Sequence, residues 1–351
     1  MNFSRQITDW YRQNKRELPW RQTSNPYFIW LSEIILQQTR VAQGMDYYLK
    51  FIEHYPTVNE LANANEQDVL NDWQGLGYYS RARNLHTTAK IIQSKFKGKF
   101  PDSYEDILSL KGVGTYTASA IASFAYNLPH AVVDGNVYRV LSRIFDIDLP
   151  IDSNEGQKTF NQIANELLDK ENPSLHNQAI MEFGALQCTP STPKCSDCPF
   201  QLECIALKNG TITERPIKKG KTKIRNRYFH YFNFNNGNET ILQKRNEKDI
   251  WQHLFEFPKI EFDIDQNIEE IKNKIESLFL IKPSNYYVNK KHILSHQHIY
   301  CTFWEFEQLP EQLDENWEII SLPNFTNYPI PRVIDRYLED KLKSKQHRLL
   351  I

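Results

Sequence analysis

The first part of the chain places apolar residues at helical spacing between polar ones. The pattern is clear in residues 30–41 (WLSEIILQQTRV), 116–127 (YTASAIASFAYN) and 158–170 (KTFNQIANELLDK), and it predicts amphipathic or buried helices. From residue 1 to about 207, no run of alternating apolar and polar residues indicates a strand. We therefore predict an all-α domain over residues 1–207.

The pattern changes after residue 207. Residues 208–227 (KNGTITERPIKKGKTKIRNR) contain eight basic residues and one acidic residue, which predicts a basic interdomain linker or simply a solvated surface. Residues 227–245 (RYFHYFNFNNGNETILQKR) alternate aromatic and polar positions around NNGN, which is typical of a strand, a turn and a strand. Residues 268–279 predict a helix and residues 296–307 another strand. We predict a smaller α+β domain over residues 228–351.

Length and composition indicate how many domains the chain can form and in which compartment it works. With 351 residues, 40% hydrophobic and 24% charged, the chain has a globular composition and is long enough for two domains. It contains no apolar stretch typical of a transmembrane helix or a secretion signal, so we expect a cytoplasmic protein. The net charge of −1 does not indicate a nucleic-acid partner, although basic residues concentrate at residues 5–21 and in the linker.

Four of the five cysteines lie in one short loop, CTPSTPKCSDCPFQLEC, with six, two and five residues between them. Such clustering in a cytoplasmic chain indicates a metal site rather than disulfides. Zinc usually takes two short pairs of ligands, and only one pair here is short. Four thiolates on an irregular loop also suit an iron–sulfur cluster. The spacing favours the cluster and leaves zinc open. The four residues are Cys188, Cys195, Cys198 and Cys204.

Residues 110–118 (LKGVGTYTA) place two glycines just before a predicted helix. Glycine weakens a helix, so two glycines at this position indicate that the backbone there must be free of side chains. A turn of this kind presents free N–H groups at the positive end of a helix and can bind a phosphate oxygen. A plain tight turn is the alternative. Because YEDILSL supplies a preceding helix, the unit reads as helix, hairpin, helix, which can hold a DNA backbone of any sequence.

Two carboxylates are candidates for chemistry. Glu33 lies within an apolar stretch, where burial raises the pKa of a carboxyl group and suits it to act as a general acid. Asp134 precedes Gly135 and Asn136 at the expected start of a helix, where aspartate is also a favoured cap. Its place after the glycine turn favours a role beside a substrate that is held by its backbone.

These motifs occur in a characteristic order. LPWR, SEIILQQTRV, GLGYYSRARNLH, LKGVGTYTASAIA, VDGNVYRVLSR and FGALQCTP are followed by the cysteine loop. Together they resemble the adenine DNA glycosylases of the helix-hairpin-helix superfamily. The resemblance implies an all-α glycosylase domain with a loop, residues 188–204, that binds one [4Fe-4S] cluster, followed by an α+β Nudix-like domain. The cluster is then chiefly structural and DNA-binding.

The resemblance also implies roles for individual residues. Glu33 corresponds to the acid that protonates adenine and then activates water, and Asp134 to the carboxylate that stabilises or captures the oxocarbenium-like sugar. Tyr116 and Asn136 correspond to supporting polar residues. The pocket for the flipped adenine corresponds to Arg16, Leu18, Trp20, Arg21, Val41 and Gln178.

Further matched residues would contact double-stranded DNA that contains adenine opposite 8-oxoguanine or guanine. Gln38 and Tyr78 match residues that intrude into the duplex beside the lesion. The phosphate-binding hairpin corresponds to Lys111, Gly112, Val113 and Gly114. The resemblance implies a monomer that acts on the bacterial nucleoid.

The C-terminal domain resembles the Nudix-like module that reads 8-oxoguanine. Residues 254–258 (LFEFP) resemble one element of that fold. Ser295 and His296 match the lesion-reading loop, in which Leu294 replaces the family's phenylalanine. The Nudix catalytic box is absent from the sequence, so we expect no pyrophosphatase activity.

Two alternatives differ in chemistry. Endonuclease III shares the cluster, the hairpin and the aspartate, but a lysine in its hairpin attacks the sugar. Tyr116 takes that position here and cannot form an imine, which predicts base excision without strand cleavage. A non-catalytic lesion-binding protein is the second alternative, and the presence of both Glu33 and Asp134 argues against it.

Overall fold

A computed structural model of the chain describes residues 2–220, 223–288 and 291–348. The chain forms two compact units, Met1–Asn63 with Asn84–Gly220, and Ala64–Arg83 with Lys221–Ile351. The predicted domain boundaries at residues 207 and 227 divide the chain into consecutive segments, and they stay a prediction. Residues 221 and 222 of the predicted linker lie outside the described residues.

Helices form the first unit and are fewer in the second. In chain order they are α1 (Phe3–Asn14), α2 (Pro26–Leu36), α3 (Val41–His54), α4 (Val58–Asn63), α5 (Glu66–Asp72), α6 (Ser80–Lys95), α7 (Tyr104–Leu108), α8 (Thr115–Tyr126), α9 (Gly135–Ile144), α10 (Asn154–Leu167), α11 (Pro173–Leu186), α12 (Ile205–Asn209), α13 (Ile268–Phe279) and α14 (Arg332–Arg348). Short 3₁₀ helices cover Pro19–Arg21, Ile212–Glu214 and Leu322–Asn327. None of the helices among the described residues is long and apolar enough to cross a bilayer.

Helix α2 begins and ends for local reasons. The Asn25 side chain accepts a hydrogen bond from the backbone N–H of Tyr27, and Pro26 occupies the first helical position. The helix predicted over residues 30–41 ends at Leu36, because Gln37 leaves helical backbone with ψ of 119° and Gln38 then adopts left-handed backbone with φ of 57°. A turn then leads into α3.

The core of the first unit lies between α1, α9 and α11. Ile7, Val140 and Phe183, one from each helix, are buried in the same cluster. Burying a side chain of this size contributes about 1.5–3 kcal/mol. This packing fixes the N-terminus of α9, where Asp134 lies.

Helices α2 and α8 also pack together. The buried face of α8 consists largely of small residues, among them Ala118 and Ala122. Small side chains allow two helices to approach closely. The contact brings α2, which carries Glu33, to the start of α8, which carries Tyr116.

Two sheets form the second unit. The strands are β1 (Arg225–Phe234), β2 (Glu239–Lys244), β3 (Phe255–Glu256), β4 (Lys259–Phe262), β5 (Asn285–Val288), β6 (His292–Ile293), β7 (Gln297–Phe306) and β8 (Trp317–Ser321). One sheet has the order β4-β1-β7-β5, with β6 also paired to β7, and the other has the order β3-β2-β8. Strands β1 and β7 run parallel, from Arg225 opposite Gln297 to Phe234 opposite Phe306.

The strand, turn and strand predicted around NNGN form, but β1 and β2 join different sheets. A single antiparallel bridge between Asn235 and Thr240 connects them across the turn. Phe234 and Ile241, on either side of the turn, are buried in one cluster with α13 residues such as Ile275. Burial between the sheets and α13, rather than hairpin pairing, determines where each strand lies.

Strands among the described residues begin only at Arg225. The predicted fold class, a helical domain followed by an α+β domain, is confirmed. Chain order did not indicate that residues 64–83, which include α5 and a glycine-rich loop, would pack within the second unit.

Candidate active site and DNA-binding elements

A cavity of about 210 Å³ opens in the first unit among α2, α8, α9 and α11. It contains all four predicted catalytic residues and the whole predicted adenine pocket. Those residues are Glu33, Tyr116, Asp134 and Asn136, with Arg16, Leu18, Trp20, Arg21, Val41 and Gln178. The volume lies below the range of about 300–1,000 Å³ typical of sites for drug-sized ligands. The cavity is suited to a single nucleobase.

Glu33 lies at the wall of this cavity and is 8% exposed. Burial raises the pKa of its carboxyl group to about 7, and the nearby Asp134 carboxylate acts in the same direction. The Tyr116 hydroxyl donates a hydrogen bond of 2.8 Å to Glu33 Oε2 and opposes the rise. Glu33 is therefore divided between its acid and its base form near neutral pH.

Asp134 caps α9 and faces the cavity at the same time. Its Oδ1 accepts hydrogen bonds from the backbone N–H groups of Asn136 and Val137, at 2.9 and 2.8 Å. Its Oδ2 accepts one of 2.7 Å from the Asn136 amide. Burial raises the pKa of the Asp134 carboxyl group, and these hydrogen bonds oppose the rise. The helix N-terminus favours a negative charge at this position.

Asn136 is held in turn by Arg139. Nη2 of Arg139 donates hydrogen bonds to Asn136 Oδ1 over 2.8 Å and to the Gly184 carbonyl over 2.6 Å, and Nε donates to the Cys188 carbonyl over 2.8 Å. A Cβ at Gly184 would lie 2.6 Å from the Asn136 Cβ. The close approach of α11 to Asn136 thus requires glycine.

Glu182 is the cavity residue that sequence reasoning missed. Its carboxylate is fully buried and accepts hydrogen bonds from both guanidinium groups, at 2.6 Å from Arg16 Nη2 and 2.7 Å from Arg21 Nη2. Burial alone would raise the pKa of Glu182, but the bonds from Arg16 and Arg21 outweigh it and bring the pKa to about 2. The sequence contains a feature that indicates this position. Glu182 lies in the apolar run AIMEFGAL, four residues after Gln178, and therefore on the same face of the helix.

The hairpin between α7 and α8 contains two glycines with different roles. Gly112 has φ of 77°, and a Cβ there would lie 2.8 Å from the Asn84 Cβ. Gly114, the N-cap of α8, has extended backbone, and a Cβ there would have no atom within 4 Å. Lys111 is exposed and Val113 is buried. Local structure therefore explains Gly112, whereas Gly114 leaves open space before the first N–H groups of a helix.

Gln38 and Tyr78 lie outside the cavity and belong to different units. Each is exposed, and each has left-handed backbone, with φ of 57° and 47°. This conformation is uncommon for residues other than glycine and is often found at functional positions. Both side chains therefore project from tight turns.

Ser295 and His296 belong to the second unit and are exposed. The Ser295 hydroxyl lies 3.0 Å from His296 Nδ1. The loop begins after β6 and is fixed by a hydrogen bond of 2.8 Å from the Leu294 N–H to the Gln297 carbonyl.

The four clustered cysteines line one small cavity together with Arg143. The Arg143 guanidinium is buried, donates to the backbone carbonyls of Thr189 and Pro190 and lies 3.5 Å from Cys188 Sγ. Among the described residues, no three His, Cys, Asp or Glu side chains form a group that could hold a metal ion.

The chain matches two protein families in the order that its fold suggests. Residues 31–170 match the HhH-GPD superfamily of base excision DNA repair proteins, and residues 230–340 match the NUDIX domain. An adenine DNA glycosylase of Buchnera aphidicola subsp. Baizongia pistaciae (strain Bp) is 37% identical over 306 residues, covering 85% of this chain and 84% of that protein. The adenine DNA glycosylase of Buchnera aphidicola subsp. Acyrthosiphon pisum (strain APS) is 33% identical over 354 residues, covering 97% and 98%. The chain belongs to the adenine DNA glycosylase family.

This membership confirms the predicted family, the Nudix-like nature of the C-terminal domain and the assignment to enzymes of base-excision DNA repair. A thermostable thymine-DNA glycosylase has a similar fold, with a TM-score of 0.56 and 28% identity over 59% of this chain and 95% of its own. The roles given to individual residues in the adenine DNA glycosylase site stay predictions.

Proposed function

We propose that the protein hydrolyses the N-glycosidic bond of adenine opposite 8-oxoguanine or guanine in double-stranded DNA and leaves the strand intact. The observation that carries the proposal is the buried Glu33, with a pKa of about 7, in one cavity with Asp134. A carboxylic acid and a carboxylate on either side of a sugar are the minimum for cleaving a glycosidic bond.

In the first step, the Glu33 carboxyl group donates its proton to N7 of the flipped adenine. The bond between N9 and the sugar C1′ then breaks, and its electron pair leaves with the base. Positive charge develops on the sugar, and the Asp134 carboxylate stabilises it or captures it covalently.

In the second step, Glu33 is ionised and takes a proton from a water molecule that attacks C1′. The hydrogen bond from Tyr116 favours this ionised form and orients the carboxylate. Asn136 supports Asp134 through its amide. Tyr116 offers no amine to the sugar, so water is the final nucleophile.

Adenine enters the cavity lined by Leu18, Trp20 and Val41, and the ion pairs of Glu182 hold Arg16 and Arg21 beside it. Extrusion of a base costs a few kcal/mol, which contacts in the cavity and an intruding side chain must offset. We assign the intrusion to Gln38 and Tyr78.

DNA contacts outside the cavity complete the proposal. The hairpin from Lys111 to Gly114 binds a phosphate through backbone N–H groups, and Ser295 and His296 read the 8-oxoguanine. The protein acts as a monomer on the nucleoid DNA of a bacterial cytoplasm.

We further propose that the four clustered cysteines hold one [4Fe-4S] cluster. A single ion gathers its ligands around one point, whereas a cluster spreads four thiolates over several irons. Four cysteines that line a common cavity on one irregular loop supply the four thiolates that such a cluster needs. The buried Arg143 guanidinium offsets negative charge there. The cluster would stabilise the loop and support DNA binding.

Single-turnover cleavage of an adenine:8-oxoguanine duplex tests the function. We expect Glu33→Gln to abolish cleavage and to leave DNA binding largely intact, because glutamine keeps the shape of the side chain and cannot supply the proton. Unchanged cleavage would refute the role of Glu33.

Borohydride trapping with damaged DNA that contains oxidised pyrimidines tests the alternative of an endonuclease III-like glycosylase and lyase. We expect no efficient covalent adduct, because Tyr116 forms no imine. An adduct formed in high yield would show that an amine attacks the sugar and would favour the endonuclease III-like reaction.

A further inference from the structure

The loop that carries Tyr78 has its own internal bonds. The Trp73 indole N–H donates to the Gly77 carbonyl over 3.0 Å, and the Arg81 guanidinium donates to the same carbonyl over 3.2 Å. The Tyr78 ring is nevertheless 48% exposed. The loop thus presents an aromatic side chain in a fixed backbone conformation.

The N-terminal side of this loop is bound by the last part of the chain. Three side chains from α5 and the following turn make hydrogen bonds to backbone atoms of residues 326–330. The pairs are Gln67 with Asn327 at 2.8 Å, Asn71 with Thr326 at 3.2 Å, and Gln74 with Ile330 at 3.1 Å. Because the partners are backbone groups, these bonds depend on the path of residues 326–330 and not on their side chains.

The turn at residues 250–253 of the C-terminal domain, called here the second turn, contacts both ends of residues 64–83. The imidazole of His253 lies 2.5 Å from the Glu66 carboxylate, at the start of α5. The Arg83 guanidinium, at the other end, donates to the Gln252 carbonyl over 2.7 Å. The segment is therefore fixed at its two ends as well as in its middle.

That second turn also contacts the strand that leads into the lesion-reading loop. The Trp251 indole packs edge-on against the His292 imidazole, with ring centroids 5.7 Å apart. His292 begins β6, and Leu294, Ser295 and His296 follow directly. Residues 326–330 connect to the same turn, because the Phe255 N–H donates to the Pro329 carbonyl over 2.8 Å and the Leu254 N–H donates to the Trp251 carbonyl over 3.0 Å. A continuous set of contacts within the second unit thus joins the Tyr78 loop to the Ser295–His296 loop.

We propose that Gln67, Asn71 and Gln74 are positioning residues that make the insertion of Tyr78 depend on the base read by Ser295 and His296. The inference rests on the proposed function, since it takes Tyr78 as the intruding residue and 8-oxoguanine as the preferred partner base. The Tyr78 loop and the lesion-reading loop move together when DNA binds. The contacts between α5 and residues 326–330 couple recognition of 8-oxoguanine, rather than guanine, to the insertion of Tyr78.

The double variant Gln67→Ala/Asn71→Ala tests the inference, because it removes two solvent-exposed hydrogen bonds between α5 and residues 326–330 and no buried contact of Leu70 or Trp73. We expect the preference, measured as the ratio of single-turnover rates on adenine:8-oxoguanine and adenine:guanine duplexes, to fall about three- to tenfold. Cleavage of the adenine:guanine duplex should change less than about twofold. A fluorescent adenine analogue next to the 8-oxoguanine should show weaker unstacking on binding.

Gln93→Ala is the matched control. The Gln93 amide makes a comparable exposed hydrogen bond, 3.0 Å to Asn63, inside the first unit. Its loss should leave both the preference and the fluorescence unchanged.

A double-mutant cycle with His292→Ala tests whether the two ends of the contact path act together. If they do, the combined loss of preference is smaller than the product of the separate losses. Independent losses would overturn the proposed path.

The remaining outcomes distinguish a failure of the proposed function from a failure of the positioning role of α5. If the unsubstituted protein releases no adenine from either duplex, the proposed function is wrong and this inference falls with it. If the protein prefers 8-oxoguanine and Gln67→Ala/Asn71→Ala keeps the full preference, only the inference is wrong. An equal loss on both duplexes would also overturn it, since α5 would then merely support the fold.

Discussion

At the scale of single residues, the Tyr116 hydroxyl has two effects on the carboxyl group that it contacts. It fixes the orientation of the Glu33 carboxylate through a hydrogen bond of 2.8 Å. It also lowers the pKa of Glu33, against the rise to about 7 that burial causes. In the proposed reaction, the residue whose lack of an amine predicts base excision without strand cleavage therefore also adjusts the pKa of the proposed acid, Glu33.

The variant Tyr116→Phe separates these effects. Removal of the hydroxyl group removes an interaction that lowers the pKa of Glu33, so that pKa rises above about 7. Because the proposed first step needs protonated Glu33, activity is lost as pH rises through this pKa. The basic limb of the single-turnover rate should therefore move to higher pH in the variant. A limb that stayed in place or moved to lower pH would contradict the assignment.

Gly184 provides a second residue-scale prediction. In Gly184→Ala, the new methyl group would lie 2.6 Å from the Asn136 Cβ and would push Asn136 away from Asp134. We expect slower base excision, together with a loss of about 1–3 kcal/mol in the free energy of unfolding.

Gly135→Ala is the comparison, since a Cβ at Gly135 would have no atom within 4 Å. Excision that was equally fast in Gly184→Ala and Gly135→Ala would show that the close approach has no role in the chemistry.

The sequence predicted much of the cavity, and the gaps have physical causes. Arg16 and Arg21 were placed in it, but the partner of both, Glu182, was not. A pattern of apolar spacing shows that a residue faces a core and does not show which charge from a distant segment lies opposite. The left-handed backbone of Gln38 was equally hidden, because no glycine or proline marks the turn.

At the scale of elements, the hairpin before α8 contains one glycine that the local structure requires, Gly112, and one at the proposed DNA-binding surface, Gly114. We expect Gly112→Ala to lower the melting temperature, because left-handed backbone costs an L-residue about 1–2 kcal/mol and Asn84 occupies the space. Gly114→Ala should keep the stability and weaken DNA binding, because its methyl group would occupy the open space before the helix. Thermal denaturation and a binding titration distinguish the two. Equal effects of both variants on binding would refute the division.

Lys111 should act through charge alone. Removal of one phosphate contact in Lys111→Ala should weaken binding to all duplex sequences similarly and should reduce the slope of log K against log salt concentration by about 1. Titrations at several salt concentrations measure the slope. A loss confined to duplexes with 8-oxoguanine would instead assign Lys111 to lesion reading.

Element types were easier to predict than element partners. The helix over residues 268–279 and the strand at β7 follow from local periodicity and form as expected. Periodicity fixes which face of a strand is buried, but it does not say which sheet a strand joins. Strands β1 and β2 therefore separate after one bridge although their connecting turn resembles that of a hairpin.

At the scale of the whole molecule, the order of the chain differs from the order of its contacts. Residues 64–83 lie in the first third of the sequence and pack with the last third. In a chain that ends at residue 220, this segment loses its hydrogen bonds to residues 252–253 and 326–330, and trypsin should cleave it at Arg81 and Arg83. In the complete chain both sites should be protected. Cleavage at Lys97, an exposed residue of the first unit, should be the same in both. Equal protection of the segment would show that it folds without the C-terminal domain.

The same arrangement affects how the protein is made. Residues 64–83 leave the ribosome well before residues 250–253 and 326–330, which bind them in the finished protein. At about 5–20 residues per second, the delay is on the order of ten seconds or more. During that time residues 64–83 cannot yet make these hydrogen bonds. The second unit therefore takes up a segment from the first third of the chain only after the C-terminal domain has been synthesised.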